Sequence, residues 1–246
     1  MRFNLPVLVY QEKNCVHNHA DEIAQMGKNA LIVTGRNSSK KNGSLDDVIN
    51  ALKSKNIKYT VYDGVEENPS VETVMEAREI GVKAGCDFII GIGGGSPMDA
   101  AKAIGVMIYY KNENKDFLYK SVSNSQSLPV IEVPTTCGTG SEVTTVAVLT
   151  VHNEKTKKSM SHRIFPRMAL VDEKYIKNAP LKVICDTAID ALAHIVESCI
   201  NNNATEYSKM FAKEGLEAWS KFKDVLLGNR EATDEDFHNM MYASTL

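Results

Sequence analysis

Apolar positions recur in two rhythms along the chain, and the change between them falls near residue 180. Before it, short continuous apolar runs alternate with longer stretches of helical period. Residues 6–10, 30–34, 57–62, 87–90, 130–133 and 169–172 read as strands, and residues 143–150 alternate like a hairpin strand. Between them, residues 44–52 keep Leu45, Val48, Ile49 and Leu52 on one helical face. Residues 71–84 form the next helix, and residues 100–109 carry Ile104, Met107 and Ile108 on one side. Three successive strand–turn–helix units predict a parallel α/β sheet, whose ligands sit beyond the carboxyl ends of its strands. After Pro180, residues 181–200, 205–222 and 233–246 are helical in period with no strand between them. The predicted organisation is an α/β domain over residues 1–180 followed by helices over 181–246.

The turns carry the candidate chemistry. The strand at 87–90 runs into Gly91, Gly93, Gly94 and Gly95, then Ser96, Pro97 and Asp99. Ser96 reads as an N-cap, Pro97 as the first helical residue and Asp99 as its acidic partner; Ser44 reads as the cap of the helix at 44–52. Glycine turn and capped helix offer N–H groups to a phosphate, with an ordinary tight turn as the alternative. The pattern is neither G-x-G-x-x-G nor a P-loop. A basic, hydroxyl-rich loop at 35–43 opens on the same side, with a solvated connection as its alternative. Residues 134–142 hold Thr135, Thr136 and Thr139 after a strand, which suits a ribose or a phosphate. Cys137 in that segment reads as a small buried thiol; His17 and His19 read as surface residues. Residues 112–127 are polar and read as a loop. Asp190 and His194, four apart on one helix, share a face and offer two ligands to a divalent metal or simply a local pair.

Composition excludes several classes. The 246 residues are 43% hydrophobic and 24% charged with a formal net charge of −3, so nothing marks the chain for nucleic acid or an anionic membrane. No apolar run reaches the length of a membrane span, and the first residues lack the apolar core of a secretory signal. Five cysteines form no C-x-x-C pair, which fits a reduced, cytoplasmic protein.

Residues 93–102 (GGGSPMDAAK), 134–144 (PTTCGTGSEVT) and 190–194 (DALAH) occur in an order and spacing that resemble the iron-containing (group III) alcohol dehydrogenases. The stretch from Gly35 to Ser44 is similar to the butanol and 1,3-propanediol dehydrogenase branch. The resemblance implies a Rossmann-like dinucleotide-binding α/β domain and a helical metal-binding domain, with the active site between them. It implies hydride transfer between NAD(P) and a small primary alcohol or aldehyde, by a homodimer or higher homo-oligomer. Gly93, Gly94, Gly95 and Ser96 would hold the pyrophosphate with Asp99 and Asn68 nearby, Thr135, Thr136 and Thr139 would line the cleft, and Lys158 would stand beside it. Gly35 stands where many NAD-preferring members carry an acid, and Arg36, Ser38 and Ser39 would welcome a 2′-phosphate. NADP is therefore the expected cofactor, with NAD as the alternative.

Asp190 and His194 match two of the family's four ligands for Fe²⁺ (Zn²⁺ in some members). The other two are histidines that in relatives lie beyond the position of Leu246, and His152, His162 and His238 do not replace them. Ala188, where relatives commonly have glycine, is a further departure. The chain thus reads as truncated within the helical domain, with weak or absent metal, little activity by itself and uncovered apolar helix faces. The alternatives are a non-catalytic nucleotide-binding remnant and a relative of the glycerol dehydrogenase or dehydroquinate synthase kind. For the latter, residues 134–144 fit less well.

Overall fold

The computed structural model describes residues 4–246. Six strands form one parallel sheet: β1 (Leu8–Gln11), β2 (Asn29–Gly35), β3 (Lys58–Val65), β4 (Phe88–Gly93), β5 (Val130–Pro134) and β8 (Met168–Val171). Their order across the sheet is β1-β8-β5-β4-β2-β3. A separate antiparallel hairpin joins β6 (Val148–Val151) to β7 (Thr156–Ser159). The helices are α1 (Cys15–Asn18), α2 (Ala20–Ala24), α3 (Ser38–Lys41), α4 (Ser44–Ser54), α5 (Val71–Ala84) and α6 (Gly95–Tyr109). After Pro180 come α7 (Leu181–Ile200), α8 (Glu206–Ser220), α9 (Lys223–Leu226) and α10 (Asp234–Thr245), with no strand among them.

Period-two alternation sends the strand side chains to two cores. Leu31, Val33 and Ile89 pack with α5 and α6 on one face; Ala30, Ile32, Phe88 and Ile90 pack with α1, α2 and α4 on the other. Both faces are covered, which is why these strands read as continuous apolar runs. From β2 the chain steps outward to β3, and β4 then returns to the opposite side of β2. The crevice of such a sheet opens beyond the strand ends at that reversal, which here lies between the turns after β2 and β4.

A third core joins the helices to the end of the sheet, with Cys137 and Val171 meeting Ile184, Ala188, Ala191, Phe222 and Met240. The outer side of α7 is left apolar and open. Ile189, Val196 and Ile200 are exposed at helical spacing, Ile200 to 76%, as are Met210 and Leu216 of α8. No helix among the described residues is long and apolar enough to cross a membrane.

Several local expectations change. Gly94, not Ser96, is the N-cap of α6, and Gly43, not Ser44, is that of α4. The Ser96 hydroxyl instead accepts the Asn68 N–H at 3.0 Å, and the Ser44 hydroxyl donates to Asn42 Oδ1 at 2.7 Å. Residues 143–147 are not strand: a 3₁₀ turn at Ser141–Val143 precedes β6, which starts only at Val148. The polar stretch at 112–127 contains another such turn, Lys115–Tyr119, which buries Phe117 and Leu118. His19 is not a plain surface residue. Its side chain is 14% exposed, stacked on Tyr10 and flanked by Glu12 and Glu22.

Candidate functional site

The glycine turn is built at the centre of the sheet, where β4 ends beside β5. Gly93 pairs with Pro134 in the parallel ladder, and the Thr135 N–H donates to Gly93 O at 2.8 Å. Gly93 has φ +150°, and a Cβ there would lie 2.6 Å from Pro97 Cγ. Gly94 and Gly95 run directly under two threonines: a Cβ on Gly94 would meet Thr136 Oγ1 at 3.1 Å, and one on Gly95 would meet Thr139 Cγ2 at 2.9 Å. The chain thereby opens the first turn of α6, whose leading N–H groups have no partner within the helix. Gly93→Ala should cost about 1–3 kcal/mol through the positive φ alone. A thermal melt should show it; an unchanged midpoint would remove the strain argument.

Asp99 does not cap the helix. Its carboxylate accepts Ser141 Oγ–H at 2.6 Å and the Val148 N–H at 2.8 Å, and it lies 3.3 Å from the buried Lys102 ammonium. Lys102 also donates to Ser141 Oγ at 2.7 Å, to Ser141 O at 3.0 Å and to Val146 O. Together the two side chains of α6 pin residues 141–148 as a wall. Lys102 was missed by sequence reasoning, although it is the one charge in the otherwise apolar stretch 100–109 and stands three residues after Asp99.

Two cavities flank this wall. A small one of about 160 Å³ is lined by Asn68, Gly95, Ser96, Asp99, Thr139 and Lys157. Lys157, rather than Lys158, reaches Asn68 Oδ1, at 2.8 Å. Lys158 turns the other way, paired with Glu154 and 5.7 Å from the centre of the Tyr119 ring. Adjacent hairpin residues face opposite sides, so the strand's parity separates the two lysines and their composition does not. The larger cavity, about 510 Å³, lies between the wall and the helices, lined by Gly138, Thr139, Ser141, His194 and Thr245 among others.

His194 lines that larger cavity, and Asp190 lies one turn before it on α7. Asp190 Oδ2 would lie 3.0 Å from a Cβ on Gly138, and His194 Nε2 is 3.7 Å from Asp190 Oδ1. Both side chains are about half exposed. Among the described residues no three His, Cys, Asp or Glu side chains converge on one point. The donor set present is two, which does not complete a metal site. His162 is a satisfied core residue, with Ser125 Oγ at 2.9 Å and Phe117 O at 2.8 Å. Cys137 is buried against Thr187, and burial pushes its thiol up to about 11, which fits the small buried thiol expected from the sequence.

The loop after β2 is the last predicted part. Arg36 and Ser38 are exposed, Gly35 is half-buried, and Ser39 is buried with no hydrogen-bond partner for its hydroxyl among the described residues. The loop holds the short helix α3, so it is an ordered element over the sheet.

Comparison with known proteins agrees with this architecture. Residues 6–173 match the family model described as iron-containing alcohol dehydrogenase. The chain belongs to that family. It is 33% identical over 220 residues to a long-chain primary alcohol dehydrogenase of Thermoanaerobacter ethanolicus, covering 89% of this chain and 55% of that one. It is 32% identical to an NADPH-dependent butanol dehydrogenase of Clostridium saccharobutylicum, covering 100% and 63%. A crystal structure of an iron-containing alcohol dehydrogenase from Thermotoga maritima superimposes with a TM-score of 0.91 at 38% identity, covering 99% of this chain and 68% of that one. The chain thus spans roughly 55–63% of the curated relatives' length. The six-stranded parallel sheet and its flanking helices are those of the family's Rossmann-like part.

Proposed function

We propose that this chain is the nucleotide-binding part of an NADP-preferring alcohol dehydrogenase or aldehyde reductase, joined near residue 180 to part of a helical, metal-binding domain. One observation carries the reading: the segment that closes over the glycine turn also carries Gly138, against which the Asp190 carboxylate rests. A pyrophosphate on Gly94, Gly95 and Ser96 would thus bring the rest of a dinucleotide along the 138–148 wall towards Asp190 and His194. The cofactor supplies the hydride chemistry, and the protein's share is to hold it and exclude water. Asp190 and His194 would be two donors to Fe²⁺ or Zn²⁺. With two donors, metal is held weakly and the chain alone turns over little alcohol.

The preference for NADP rests on Gly35, which offers no carboxylate to a 2′-hydroxyl, and on the exposed Arg36 and Ser38. Among relatives, one butanol dehydrogenase is named as NADPH-dependent and two from Clostridium acetobutylicum as NADH-dependent, so the chain's own residues must decide. Calorimetric titration with NADP⁺ and NAD⁺ should give tighter NADP⁺ binding. Arg36→Ala should weaken NADP⁺ about tenfold, the worth of one charge-assisted hydrogen bond, and leave NAD⁺ nearly unchanged. Equal affinities in the original chain would overturn the preference. Small primary alcohols or aldehydes, a homo-oligomer and a cytoplasmic location belong to the same proposal.

A further inference from the structure

The turn after β2 has a feature that the reading above leaves unused. Between β2 and β3 the ladder slips: Val33 pairs with Tyr62 but Gly35 pairs with Val65, so Asp63 and Gly64 together oppose Thr34. An extra residue on one strand bends it and re-aims a side chain, commonly beside a functional site. The side chain so displaced is a carboxylate, and it meets the loop after β2. Asp63 Oδ2 lies 2.5 Å from Lys40 Nζ, with both side chains about half exposed. Lys40 holds the Asp63 carboxyl below its ordinary value, foremost by this hydrogen bond, and the charge of Arg36 adds to it. Asp63 is therefore within the field of both cations that flank Ser38.

We propose that Asp63 is a specificity-determining residue for the cofactor's adenosine ribose, spending Lys40 in an internal ion pair and so holding down the loop's affinity for a 2′-phosphate. The proposal rests on the NADP reading and deepens it. A 2′-phosphate arriving between Arg36 and Ser38 must compete with the Asp63 carboxylate for Lys40 and is repelled by it. A 2′-hydroxyl carries no charge and feels neither effect. Asp63 thus acts on one cofactor and not on the other. Gly35 lacks the acid that would favour NAD; one strand over, Asp63 supplies an acid that restrains NADP.

The test is titration of NADP⁺ and NAD⁺ into the intact chain and into Asp63→Asn, Lys40→Met and the double variant. Asp63→Asn frees Lys40 and should tighten NADP⁺ about fivefold, the scale of an exposed ion pair, with NAD⁺ within about twofold. The double variant should lose that gain. Lys40→Met alone should weaken NADP⁺, since an unpaired Asp63 then faces the phosphate, and this arm stands if Asp63→Asn fails to fold. An unchanged ratio of NADP⁺ to NAD⁺ affinity in both single variants overturns the role of Asp63. Were Arg36→Ala still to weaken NADP⁺ in that case, the NADP reading itself would survive. Failure of every form to bind either nucleotide overturns both.

Discussion

Lys102→Met is expected to lower stability by about 3–5 kcal/mol, the usual cost of removing one partner from a buried ionic network. Lys102 is fully buried in α6, and its ammonium is held by Asp99, Ser141 and the Val146 carbonyl. Methionine keeps the length of the stem but donates nothing. Among the described residues Asp99 would lose its one ion-pair partner, and the carbonyls of Ser141 and Val146 would stay buried without their donor. For a chain of this size the thermal midpoint should fall by roughly 10 °C. The damage should be local first: the Val148 N–H, which donates to Asp99, should exchange with solvent faster as the wall loosens. On the proposed reading NADP⁺ affinity should fall with it. An unchanged midpoint and unchanged Val148 exchange would mean that the wall is held by something else.

Glu132→Gln is expected to act in the opposite direction, and increasingly so as pH rises. Glu132 sits in the middle of β5, fully buried, and neither carboxyl oxygen has a hydrogen-bond partner among the described residues. It fits only because its neighbour across the ladder is Gly91, where a Cβ would come within 2.2 Å of Glu132 Oε2. Burial raises its pKa well above the ordinary value; Lys102 opposes that rise, and Asp99 and Glu142 add to it. A carboxyl raised in the folded state stabilises fully below its unfolded value, about 4.3. That contribution is lost as pH climbs towards the folded value, at about 1.4 kcal/mol per pH unit. The amide has no such loss. The difference between Glu132→Gln and the original chain in urea midpoint should therefore be small at pH 5 and clearly in favour of the variant at pH 8. Glu142, raised by burial too, titrates in both proteins, so the comparison isolates Glu132 together with its coupling to Glu142. A difference that does not grow with pH would show that Glu132 keeps its charge when folded. Because Lys102 and Glu132 feel one another, the double variant should not be additive.

Both predictions concern residues that the sequence places in elements but not in roles. Lys102 and Glu132 were visible as charges inside an apolar helix and an apolar strand, and that is all periodicity can say of them. Their partners lie across the sheet or 39 to 44 positions along the chain, which no local pattern encodes. The caps failed for a related reason. Ser96 and Ser44 are the preferred capping types, yet glycines take the caps, while the serine hydroxyls are drawn to Asn68 and Asn42. Side-chain preference at a helix start is about 1 kcal/mol, small enough for a tertiary contact to override.

By itself the sequence determined the α/β class, each strand of the parallel sheet, the change to helices after Pro180, and the glycine turn that ends β4. These follow from burial on both faces of a sheet, from the two periods of the backbone, and from glycine where the chain must turn closely. Only the tertiary structure decided that Asp99 braces a wall, that Lys157 rather than Lys158 reaches Asn68, and that a bulge in β3 brings Asp63 to Lys40. Each depends on the direction of a side chain between segments far apart in sequence. That direction is set by strand register and packing, which a one-residue slip reverses.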